Sequence, residues 1–209
     1  MKKWIGILLL AGLAGLAGCT PQGALTAWHW KAFVKAPDET TFAPLYADVA
    51  ACRTADCPQG EQIDEEMIDD LADLVRSKDP RALKIALAAD KIIVGNAAGA
   101  EYLQASYGPV IRDEPLRFLQ EAAAAHRSDT GIVTVTPQSL IDNINGQYDE
   151  LTLRREALMT VSDPRLVPLR DAYVAAIERV QKKLEPGLYR RPPAVAYLKT
   201  ASGPEDPSI

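Results

Sequence analysis

"QIDEEMIDDLADLVRSKDPRALKIALAADKIIVGN", residues 62–96, decides the fold class. In its first half Ile63, Met67, Leu71 and Leu74 recur every three or four residues, and Ile68 and Val75 widen the stripe. That period belongs to an amphipathic helix and not to a strand. Asp64, Glu65 and Glu66 stand at its start and Arg76 and Lys78 at its end, as the helix dipole prefers. In the second half Asp79 reads as an N-cap, Pro80 as the first helical position and Gly95 as the residue past the end. Leu83, Ile85, Ala86, Leu87, Ile92 and Val94 make this second helix apolar on most sides, which predicts a central position.

Working outward, the same signals continue. A shorter helix is predicted from Ala97 to Tyr107, ending at Gly108-Pro109, and "RDEPLRFLQEAAAAH" (112–126) opens another. "RSDTGIVTVT" (127–136) is turn-forming and then β-branched, which predicts one short extended piece. Thr136-Pro137 caps a long helix with the stripe Leu140, Ile141, Ile144, Tyr148, Leu151 and Leu158, in which Gly146 predicts a bend. Ser162-Asp163-Pro164 opens the last helix, and Glu185-Pro186-Gly187 ends it. The expected fold is all-α, with about six helices over 36–187 and a proline-rich tail over 188–209. Asp79-Pro80-Arg81, Asp163-Pro164-Arg165 and their relative Asp113-Glu114-Pro115 are faintly similar to the openings of HEAT-type solenoid helices. Their separations follow no fixed period, and acid-proline is ordinary capping chemistry as well. An irregular helical bundle and a short solenoid-like stack both stay open.

The start of the chain has a different composition. Lys2 and Lys3 make a positive n-region, and Ile5 to Leu16 make an apolar stretch of signal-peptide length. The charge-free run from Trp4 to Gly18 is short for a bilayer span. Leu16-Ala17-Gly18-Cys19 resembles the lipobox of bacterial lipoproteins: a branched apolar residue, two small ones, then cysteine. The resemblance implies that residues 1–18 are cleaved and that the Cys19 thiol carries diacylglycerol. A segment over 19–35 would then tether the protein to a membrane by lipid. Thr20, where inner-membrane lipoproteins carry aspartate, implies the outer membrane, facing the periplasm.

Removing 18 residues leaves 191 of 209, enough for one domain with a sizeable core. The leader takes two lysines with it, so 21 basic residues face 28 acidic ones and the formal charge moves from −5 to −7. That sign disfavours nucleic acid and phosphate-rich membrane surfaces as general partners and leaves a protein partner or a small ligand. Cys52 and Cys57 remain in "ACRTADCPQG" (51–60). An exported protein occupies an oxidising compartment, which predicts a disulfide between them. Zinc needs four ligands, and the histidines, His29 and His126, lie far away in sequence. The spacing is also wrong for a C-x-x-C redox motif.

No catalytic signature of the nucleophile-elbow, P-loop, zincin or dinucleotide type occurs. Asp129-Thr130-Gly131 spells the aspartic-protease triplet, but the polar run before it reads as a turn. The acids Glu66, Asp69, Asp70 and Asp73 are helical neighbours on one face. A straight helix cannot wrap six to eight oxygens around calcium, so this face reads as a solvated acidic face or as a contact patch for a basic partner. In "TAWHWKAFV" (26–34), Trp28 and Trp30 suit either a membrane interface or a first element docked on the helical core, the latter preferred, and both join the four acids as candidate partner-binding residues.

The expected protein is a lipid-anchored envelope protein with a non-catalytic helical binding domain. It would serve as an assembly factor or as a toxin-inhibiting (immunity) lipoprotein, and needs neither cofactor nor metal. The competing class is an envelope hydrolase using a carboxylate such as Glu101 or Glu114. For the cysteines the outcome is concrete. Alkylation of denatured, unreduced mature protein should find neither Cys52 nor Cys57 free. Replacing both by serine should lower stability by about 2 kcal/mol and leave the helical circular dichroism unchanged.

Overall fold

The computed structural model describes residues 22–51, 63–90, 93, 97–140 and 142–188. The leader, all three cysteines and the tail beyond Leu188 lie outside the described residues. The described chain is helical, with no β-strand. Its helices are α1 (Gln22–Lys35), α2 (Glu39–Ala51), α3 (Glu65–Arg76), α4 (Pro80–Ala89), α5 (Ala97–Ala105), α6 (Tyr107–Asp113), α7 (Pro115–Ala124), α8 (Ile144–Met159) and α9 (Val167–Leu184). Of the two arrangements open to the sequence, they form a bundle.

α1 packs on α2 and α3, and both of those pack on α4, which closes a ring of four helices. α4 buries Ala82, Leu83, Ile85, Ala86, Leu87 and Ala89, so it has the central place its composition predicts, but it ends at Ala89, and Ile92, Val94 and Gly95 lie outside the described residues. α7 bears on α4 from the other side and links the ring to α8 and α9, while α6 lies against both α3 and α8. Phe118 of α7 sits between Tyr107 and Tyr173, with ring centroids 6.1 Å apart on each side, and ties three helices together. Tilted pairs at this spacing add to the area that they bury.

The caps follow from the sequence. Asp64 accepts from the Met67 amide at 2.9 Å. Asp79 accepts from the Arg81 and Ala82 amides at 2.8 and 3.1 Å and from Arg81 Nη2 at 3.0 Å. Asp163 makes the same contacts, with the Arg165 amide at 3.0 Å and Nη2 at 2.7 Å, but it holds the turn before α9, which begins at Val167 with Leu166 as its N-cap and not at Pro164 as expected. Each Asp-Pro-Arg is therefore a local clamp, in which the arginine two residues on closes over the aspartate carboxylate. Burial alone pushes Asp79 up, but Arg81 and the two amides outweigh it and hold the carboxyl below its ordinary value. At the other ends, α3 and α7 turn out through Lys78 and His126, both with positive φ (66° and 52°). The Asp79 amide reaches Leu74 O and the Arg127 amide reaches Ala122 O, the six-to-one bond of a Schellman motif, here without glycine.

Four local expectations are corrected. The chain from Ala97 divides at Ser106 into two helices, and Gly108-Pro109 lies inside α6 and not past a helix end. Pro109 is the third residue of α6, where its missing N–H would be unsatisfied in any case. The expected extended piece is a 3-10 turn, Thr130–Val133, capped by Asp129 through the Gly131 amide at 2.8 Å. The Val133 and Val135 carbonyls accept from Arg154 Nη1 at 3.1 and 2.8 Å, so a side chain takes the acceptors that a strand partner would need. α8 begins at Ile144 and not at Pro137, with Asn143 capping through the Gly146 amide at 2.9 Å. A Cβ on Gly146 would stand 2.7 Å from Asn143 Nδ2, so this glycine makes room for the cap and marks no bend.

α8 also departs from its apolar stripe. Glu150 and Arg154 are buried with Leu151 and Leu158, whereas Leu153 and Met159 are exposed. Arg154 has no exposed surface and is held by Glu150 Oε1 at 2.9 Å in addition to the two carbonyls. Glu150 is shared with Arg112, whose Nη1 donates at 2.5 Å. α6 approaches this group so closely that a Cβ on Gly108 would stand 2.5 Å from Arg154 Nη2 and 2.7 Å from Glu150 Oε1. Neither atom can retreat without breaking a buried ion pair. Gly108→Ala should therefore lower stability by about 1 to 3 kcal/mol. Urea unfolding checks this, and a change smaller than the experimental error would mean that α6 does not seat on the arginine.

Candidate protein-binding face

The strongest candidate is the outer side of α3. Met67, Ile68, Leu71, Ala72 and Val75 are spent on the core, which leaves Glu66, Asp69, Asp70 and Asp73 outward at i, i+3, i+4 and i+7. All four are exposed, as are Asp64 and Glu65 beside them. Asp73 is paired with Arg76, and the other three form no ion pair among the described residues. Charges of one sign repel along such a stripe and attract a cationic surface, an effect that salt screens.

Along one flank, α5 leaves a groove of about 320 Å³ lined by Glu65, Ile68, Asp69, Ala98, Gly99 and Tyr102. Tyr102 is 39% exposed, and the Arg76 guanidinium lies over its ring, 4.9 Å from the centroid. The sequence-predicted acids thus come together, and Tyr102 joins them. Nothing in the sequence announced Tyr102, because its neighbourhood depends on α5 packing against α3.

The two tryptophans separate. Trp30 has no exposed surface, and its Nε1 donates to Met67 O at 2.7 Å on the inner side of α3. It cannot meet a partner, which corrects the expectation that it belongs to a binding site. The buried indole and Phe33 dock α1 on the core. Trp28 is 66% exposed.

The carboxylates of the hydrolase alternative are placed as follows. Glu101 is exposed on α5. Glu114 lies at the start of α7, paired with Arg117 Nε at 2.9 Å. It borders an open groove of about 830 Å³ between α7 and the turn 160–164, which also holds Asp113 and Asp163. The Lys78 hydrogen bond at 2.8 Å holds Asp113 below the ordinary carboxylate value, and the Arg165 hydrogen bond does the same to Asp163. Neither supplies the protonated carboxyl that acid catalysis requires. His126 is exposed and serves the backbone turn after α7. His29 Nδ1 lies 2.6 Å from Asp48 Oδ2. Among the described residues no three His, Cys, Asp or Glu converge to hold a metal.

Two buried acids escaped the sequence reading, Asp90 and Glu150, because nothing in their local context distinguishes them from surface acids. Glu150 belongs to the α6–α8 contact. Asp90, just past α4, accepts from Gln104 Nε2 at 2.9 Å and pairs with Arg127, itself buried. Burial pushes the Asp90 carboxyl up, and the charge and hydrogen bond of Arg127 oppose the shift. Tyr173 donates to Arg127 O at 2.9 Å, so the pair joins α4, α5, α9 and the turn after α7. This group is structural cement. Asp90→Ala would leave the buried Arg127 with only the exposed Asp129, 3.7 Å away, as counter-charge, at a cost of about 3 to 5 kcal/mol in urea unfolding. A smaller loss than Gly108→Ala would contradict that role.

No family model, curated protein or solved structure matches the chain.

Proposed function

We propose that the protein is lipid-anchored in the bacterial envelope and that its helical domain binds a basic surface of another protein through the outer face of α3. An envelope assembly factor and a toxin-inhibiting (immunity) lipoprotein both fit this reading. The carrying observation is the stripe Glu66, Asp69, Asp70 and Asp73, presented on a helix whose other side is fully committed to the core. A rigid helix holds the four charges at fixed spacing, so a cationic partner meets them without a backbone ordering cost. The adjoining groove and Tyr102 add a half-exposed aromatic, the kind of side chain that anchors interfaces. The lipobox-like Leu16-Ala17-Gly18-Cys19 supports the anchor, and the outer membrane is the expected site. No described helix is long and apolar enough to cross a membrane.

The test joins both halves. Radiolabelled palmitate should enter the wild-type protein and not Cys19→Ala, and extraction from membranes should need detergent. Affinity capture from periplasmic and culture-medium extracts should recover a specific protein. Its binding should weaken with salt and fall by about tenfold or more, roughly 1.4 kcal/mol, when the four acids are changed to lysine. Peptidoglycan, phospholipid and protein substrates should show no turnover. Turnover that disappears with Glu114→Gln or Glu101→Gln while the fold survives would decide for the hydrolase.

A further inference from the structure

Helix α1 divides its residues between two environments. Trp30 and Phe33 are buried, with Ala27 and Val34 packed beside them. Trp28, Lys31 and Lys35 are exposed on the opposite side. At 3.6 residues per turn these three fall within an arc of about 60°, one outward stripe. The lysines paired among the described residues are Lys78 and Lys84, not Lys31 or Lys35. The next acid, Asp38, is turned to its own helix start and accepts from the Thr40 and Thr41 amides at 2.8 and 3.1 Å.

The chain before α1 adds a distance limit. Only Thr20 and Pro21 separate Cys19 from Gln22, where α1 begins. Three Cα–Cα steps of 3.8 Å keep that start within about 11 Å of Cys19. A lipid on Cys19 therefore holds the start of α1 close to the bilayer surface whatever path the intervening chain takes. An indole with its apolar rings and one N–H is suited to the headgroup zone. Lysines on the same stripe are drawn to anionic headgroups. In a chain of formal charge −5, this stripe carries the opposite sign.

We propose that α1 lies on the membrane with Trp28, Lys31 and Lys35 against anionic lipid, so that acyl chain and helix together fix the orientation of the domain. This rests on the lipidation of Cys19. One face of α1 is then seated in the protein core and the other on the bilayer. The contact also explains why the first helix follows the anchor so directly: a long flexible linker would leave the domain free to tumble.

Bromolipid quenching of the full lipidated protein, reconstituted in phosphatidylethanolamine–phosphatidylglycerol vesicles, tests this. After removal of the leader, Trp28 and Trp30 are the tryptophans of the chain. The wild-type emission should be quenched, and Trp28→Phe, which retains the buried Trp30, should lose the quenching. Lys31→Glu with Lys35→Glu should lower it severalfold while circular dichroism stays helical. Mass spectrometry of Cys19 reads the anchor separately. An acylated wild type quenched no more than Trp28→Phe overturns the α1 contact and leaves the anchor standing. Quenching that the charge reversal does not change overturns the headgroup contact. Quenching without acyl mass supports the contact and overturns the anchor, and absence of both overturns the two readings together.

Discussion

Leu83, Ile85, Ala86 and Leu87 point to different sides of a ten-residue helix, and all four are without exposed surface. A buried leucine or isoleucine is worth about 1.5 to 3 kcal/mol, so α4 is stable only if neighbours cover it everywhere but the face of Arg81, Lys84 and Ala88. This constraint organises the bundle. α2 and α3 cover two sides, α7 a third, and α1 closes the ring by bridging α2 and α3. The acidic stripe of α3 follows from it. Once the apolar side of α3 is turned to α1, α4, α5 and α6, its acids are left on the outer face.

The second half of the bundle is held by a different physical device. α8 carries charge inside and apolar groups outside, and its seat is a fully buried arginine. Arg154 gathers Glu150 and two carbonyls of the segment before α8, and Gly108 lets α6 close over it. Asp90 and Arg127 do similar work nearer the ring. Such pairs lose hydration when buried and recover it only through well-placed partners, so they add little stability over apolar packing. Their effect is on specificity: an arginine held by three acceptors admits few alternative packings, whereas a leucine admits many. We regard that as the reason a segment with strand-like composition, Ile132 to Val135, is wound into a turn.

The helical class, the central place of the second helix and the acidic stripe were legible from residues 62–96 because each rests on local periodicity. Caps were legible for the same reason: an aspartate two or three residues before its amide partners acts within one turn of chain. α1 and α2 were not legible as helices. Pro44 sits inside α2, where the usual rule expects a break, and α1 has no clean stripe because tryptophan, lysine and phenylalanine alternate around it. Only docking on α3 and α4 makes the two helices worthwhile.

By itself, the sequence determined what depends on nearest neighbours along the chain: helix period, capping, the charge of the exposed α3 face and the lipobox-like start. Tertiary structure decided which of two tryptophans two residues apart is core and which is surface. It also decided that Glu150, Arg154, Asp90 and Arg127 are inside and Leu153 and Met159 outside. Burial of a charged side chain depends on partners 4 to 38 residues away, as in Arg154 with Glu150 and Arg112 with Glu150. No local pattern carries that information, because the free energy of a buried charge is set by which acceptors the folded chain brings to it.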